Sequence, residues 1–133
     1  MNNTVIALLG FTSWTLLLAF SIAMLRGFLS MKGDYQLNTY APDGADVSPF
    51  SNRLCRAHAN CLENLPLFAV IALYALVSNQ TSVTDPLALV LLAARIAQST
   101  VHIISTSLPA VMIRASFFSV QLALMGWFLF SFL

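Results

Sequence analysis

Arg56, Asn60 and Glu63 stand at i, i+4 and i+7 in the stretch RAHANCLENLP, residues 56–66. On a helix these positions share one face, bordered by Asn64 at i+8. A guanidinium grips carboxylates bidentately, an amide both donates and accepts, and a carboxylate holds an ammonium group. Glu63 lies a turn or two inside an apolar run, where an unpaired charge costs several kcal/mol. It needs a cation, and the sequence offers Arg56, two turns away on the same face. Pro66 cannot donate to the carbonyl of Leu62, which predicts a kink at the level of Glu63. The plain reading is an amphipathic helix entry with a structural ion pair. The functional one is a polar pocket for a charged ligand.

A second stripe follows. Arg95, Gln98, Ser99 and His102 fall at i, i+3, i+4 and i+7, while Leu89, Val90, Ala93, Ala97 and Ile104 make the opposite face apolar. His102 alone reads as a packing histidine, but an arginine a turn deep in lipid must find an anion. Two such stripes, one with an acid and one with a base, are expected to face each other. Together they would suit a small zwitterion, with arginines on its carboxylates and Glu63 on its ammonium. One wall of that pocket would be lipid, so the arrangement fits a hydrophobic substrate meeting a polar cofactor.

The elements that must carry these residues are membrane spans. The chain has 133 residues, of which 59% are hydrophobic and only 8% charged, and its mean hydropathy is +0.82. Soluble domains carry about 25% charged residues, so the expected solvent is the lipid bilayer. Residues 5–25 are uncharged and long enough for a hydrocarbon core of about 30 Å. No basic residue precedes them and no small-residue cleavage pattern follows, so they read as a retained span rather than a signal peptide. After a polar connection, Ser48-Pro49 is a cap-then-proline signal that opens a second helix over 48–78. Asp85-Pro86 repeats the signal and opens a third over 86–107, and Leu108-Pro109 introduces a fourth over 110–133. The fold class expected is all-α, a single domain formed by an integral membrane antiparallel four-helix bundle.

Arg26, Lys32, Arg53 and Arg56 flank the first loop and Arg114 lies near the third, while the N-terminal tail and second loop hold no Lys or Arg. The positive-inside rule then puts the site on the cytoplasmic side and both termini opposite. Cys55 and Cys61, six positions apart, point in different directions on a helix and read as small apolar fillers. There is no metal-ligand spacing, no GxGxxG, HExxH or P-loop, and no basic run that would suit a nucleic acid.

The pattern Arg56-x-x-x-Asn60-x-x-Glu63-x-x-Pro66, with four spans in about 130 residues, resembles the MAPEG superfamily of microsomal glutathione transferases and leukotriene C4 synthase. The resemblance implies a homotrimer with glutathione bound between subunits on the cytoplasmic side. Arg56, Asn60 and Glu63 match its glutathione-holding positions, with Arg95, Gln98 and His102 matching less closely. Arg26 or Lys32, together with His58, would reach in from the adjacent subunit. The sequence departs from the pattern in three places, one being Asn64, which stands where some members have an aromatic. His102 stands where the eicosanoid enzymes usually have a tyrosine, and Leu108 and Ala110 flank Pro109 where the family has an arginine that stabilises the thiolate. Arg114 and Arg95 are the cations left for that task. The implied activity is transfer of glutathione, or a peroxidase-like reaction, on hydrophobic electrophiles from the lipid. The alternatives are a non-catalytic protein of the same fold that binds a lipid or partner, and a small proton-coupled exporter. Exporters of that kind place their glutamate in the first span, which here carries no charge.

Overall fold

A computed structural model describes all residues, 1–133, as four helices: α1 (Asn3–Met31), α2 (Pro49–Val77), α3 (Thr81–Ile104) and α4 (Leu108–Phe132). Each is long and apolar enough to cross a membrane. Three begin as their sequences dictate. The side chains of Asn2, Ser48 and Ser107 accept hydrogen bonds from the backbone N–H groups of Val5, Ser51 and Ala110, satisfying donors that have no intrahelical partner.

α3 departs from expectation. It starts at Thr81, ahead of the Asp85-Pro86 signal, and Pro86 lies inside it. The turn from α2 is only residues 78–80, with Asn79 in the left-handed region at φ 58°, which asparagine tolerates better than most side chains. Asp85 caps a different helix: its Oδ1 accepts the backbone N–H of Thr4 at 2.9 Å and also the Thr4 hydroxyl. The carboxylate thus sits at the positive end of α1, where the helix dipole favours it. Pro66 also lies inside a helix, and α2 runs on past it. A proline removes one internal hydrogen bond, and packing in a membrane bundle sustains the rest.

Three contacts fix the antiparallel arrangement. The hydroxyls of Thr4 and Thr84 share a hydrogen bond of 2.6 Å, joining the starts of α1 and α3. Arg53 Nε donates to the carbonyl of Ile103 at 2.7 Å, joining the start of α2 to the end of α3. Tyr74 meets Phe132 edge-on at 4.9 Å, joining the ends of α2 and α4. α2 and α3 each pack against all three of the other helices, with α4 lying mainly on α3, whereas α1 and α4 do not meet. The core between them holds Phe11, Phe68, Leu91, Met125 and Phe128, with Phe11 stacked on Phe68 at 5.7 Å.

Only 28 of the 133 residues are buried, and large apolar side chains such as Leu16, Phe20, Val77 and Phe130 point outward on every side. In water that surface would aggregate, whereas in a bilayer it is the matching face. The connection between α1 and α2 folds back as a strap. Tyr40 donates to the carbonyl of Arg26 at 2.9 Å. Gly44, at φ 67°, lies so close to α2 that a Cβ there would come within 2.8 Å of the Ser51 carbonyl oxygen. No other residue fits that approach.

Candidate functional site

The two polar stripes meet across α2 and α3. Arg95, Gln98, Ser99 and His102 are all buried, forming the inner face of the second half of α3. Arg95 has no exposed surface at all. Its Nη1 donates to Asn60 Oδ1 at 2.5 Å, and Gln98 Nε2 donates to the same oxygen at 3.2 Å. The guanidinium lies 5.4 Å from the centroid of the Phe11 ring, a cation–π placement that eases its burial. Its Nε and Nη2 have no hydrogen-bond partner, and no carboxylate pairs with it. Next to it, the Cys61 thiol and Ser99 hydroxyl share a contact of 3.1 Å. Cys61 is thus a small core residue with a weak polar tether, and both cysteines are free.

On the loop side of this layer is a cavity of about 280 Å³. Arg56 and Arg114 contribute its charges, Asn60, Gln98 and His102 its other polar groups, and Val111, Ala115 and Phe118 of α4 an apolar wall. It lies where α2 begins, α3 ends and α4 begins, at the end held together by Arg53 and Ile103. Two guanidinium groups face a space with no acidic side chain, so the fitting occupant carries negative charge. The α4 wall admits an apolar group beside it.

Five of the residues singled out in the sequence therefore come together here: Arg56, Asn60, Gln98, His102 and Arg114. Arg95 stands behind them, supporting Asn60. Three others do not join them. Glu63 is exposed on the outer face of α2, and the expected pair with Arg56 is absent, since the sole ion pair in the chain is Lys32–Asp34 at 3.9 Å. Positions i and i+7 share a face but stand about 10 Å apart along the axis. His58 is half-buried and does not line the cavity. Arg26 is held by the strap, donating to the carbonyl of Ala41 at 2.9 Å and lying 5.3 Å from the Tyr40 ring centroid.

One participant was not anticipated. Gln121 of α4 is buried, and its Nε2 donates to Gln98 Oε1 at 2.8 Å and to the carbonyl of Phe117 at 3.0 Å. A glutamine deep inside a span is the kind of signal that could have revealed it, because polar groups in spans seek partners. Arg53, counted in the sequence only among the basic residues that flank the first loop, closes the C-terminal end of α3.

No curated protein and no solved structure matches the chain. The family model of the MAPEG family matches residues 4–133, from the first turn of α1 to the last residue. The chain belongs to the MAPEG family, the membrane-associated proteins of eicosanoid and glutathione metabolism.

Proposed function

We propose that the protein is a glutathione transferase that uses the cavity between α2, α3 and α4 to hold glutathione for reaction with hydrophobic electrophiles from the membrane. The observation that carries this reading is the pairing of Arg56 and Arg114 in a cavity without any carboxylate, beside an apolar wall. Glutathione has two carboxylates and a thiol, which suits such a donor set. Family membership adds support for glutathione as the class of ligand.

Bound glutathione would supply the nucleophile, its thiolate, which forms a thioether with an electrophilic carbon while the leaving group departs with the displaced electron pair. The residues of the chain do the rest. Arg56 and Asn60 bind and orient a carboxylate. Arg114 reaches the same cavity from the α4 side, next to the apolar wall where the electrophile would lie. A guanidinium there favours the ionised sulfur over the thiol, whose ordinary pKa of about 8.5 leaves it mostly protonated at neutral pH. Arg95 holds the Asn60 amide from behind and stays out of contact with the ligand.

A homotrimer completes the proposal. Glu63 is exposed without a cation on a membrane-length helix, which favours a partner from a neighbouring subunit, either a basic group or the ammonium of glutathione held there. His58 and Arg26, outside the cavity in their own subunit, are the other groups offered to such a boundary. The basic residues at the cavity end favour the cytoplasmic side for it by the positive-inside rule. The test is to purify the detergent-solubilised protein and measure glutathione binding and thioether formation with an aryl halide, for wild type and Arg56→Ala. Saturable binding that weakens in Arg56→Ala, with turnover, is expected. No binding at millimolar glutathione would overturn the proposal, and binding without turnover would reduce the protein to a carrier of the ligand.

A further inference from the structure

Four side chains from three helices form one hydrogen-bonded line: Gln121 to Gln98, Gln98 to Asn60, and Arg95 to Asn60. Amides reverse polarity easily, so a line made only of amides has no fixed direction. This one is anchored at both ends. Arg95 can only donate, which obliges Asn60 to turn its oxygen inward. At the other end the carbonyl of Phe117 can only accept, which obliges Gln121 to present its NH2 group there, 3.0 Å away. The same NH2 then donates to Gln98. Gln98 must therefore turn its oxygen toward α4 and its NH2 toward Asn60. With two donors on Asn60 Oδ1, both lone pairs of that oxygen are used, while Nδ2 makes no hydrogen bond within the chain.

We infer that Gln121 is a positioning residue that fixes Asn60 as a pure donor toward the cavity, so that the site accepts a carboxylate and rejects a ligand presenting a donor there. This rests on the reading of the cavity as the glutathione site, and it adds a residue from α4 that never touches the ligand. Gln121 is buried at 1% exposure and does not line the cavity, so it acts on the site indirectly, through Gln98 and from there Asn60. Without it, Gln98 is free to rotate and offer Asn60 its oxygen, in competition with Arg95.

The test is a double-mutant cycle on glutathione affinity in detergent micelles, using wild type, Gln121→Met, Asn60→Ala and the double variant. Methionine keeps the volume and removes the polarity. Gln121→Met is expected to weaken binding by about tenfold in the wild-type background and by less than about twofold when Asn60 is already alanine. Equal losses in both backgrounds would overturn the inference, because a role confined to holding α4 against α3 does not depend on Asn60. The Asn60 side-chain amide provides a second readout in protein labelled with 15N-asparagine, its signal identified by disappearance in Asn60→Asp. That signal is expected to move in Gln121→Met and in Gln121→Glu, whose carboxylate reverses the demand on Gln98. If the wild type binds no glutathione, the ligand reading falls by itself. The relay is then judged on the amide signal, and an unmoved signal in both variants sinks it.

Discussion

The two ends of α3 each bury polar groups in a lipid-facing protein, and they treat them in opposite ways. At its start, Asp85 Oδ1 accepts both the Thr4 N–H and hydroxyl, and the Thr4 and Thr84 hydroxyls share a hydrogen bond. Every donor in that cluster has a partner within the chain. Toward its end, Arg95 keeps two nitrogens without partners, and Arg56 and Arg114 face a cavity with no acid. Saturated polar groups hold helices together, whereas unsatisfied ones of a single sign mark a place for something else to bind. Their charge and their hydrogen-bond accounts separate the two clusters.

Substitutions at each end sharpen or break this contrast. The largest effect is expected from Arg114→Ala, which should lower turnover by about a hundredfold with a smaller change in glutathione affinity, as loss of charge stabilisation at the reacting sulfur does. Steady-state kinetics with an aryl halide would show it, and a loss confined to affinity would reassign Arg114 to binding alone. Next comes Arg56→Ala, expected to weaken glutathione binding by about tenfold or more. At the opposite end, Asp85→Ala should cost about 1–2 kcal/mol of stability through the lost helix cap. Thermal unfolding in detergent reads this, and glutathione affinity should stay within about twofold once folded protein is compared. A large affinity loss there would erase the distinction between the ends. The smallest effect belongs to Arg53→Ala, which removes one bond to the Ile103 carbonyl and should cost about 0.5–1.5 kcal/mol.

Much of this was legible in the sequence, and the failures share a physical cause. The four spans were visible because long apolar runs with few charges have few other meanings. Ser48-Pro49 marked the start of α2 because its cap is local, made by Ser48 to Ser51. Asp85-Pro86 misled because Asp85 turns Oδ1 to Thr4, 81 positions away, a partner no local pattern reveals. The stripe from Arg95 to His102 came out correctly, since spacing of three, four and seven reports a shared helix face. The same spacing overreached for Arg56 and Glu63, because sharing a face does not bring two side chains within contact. Gln121 stayed hidden because its place in α4 is meaningful only once Gln98 is placed against it. Arg114 was a cation in need of a location, and α4 delivers it to the wall facing Arg56.

The central claim is that the cavity selects its ligand by negative charge. Calorimetric titration of the purified wild-type protein with glutathione and with its diethyl ester, whose carboxylates are neutralised, tests it most directly. The expected result is saturable binding of glutathione, with the ester bound at least about tenfold more weakly. That gap should collapse in the Arg56→Ala/Arg114→Ala double variant. Equal affinity of the wild type for the acid and the ester would contradict the claim.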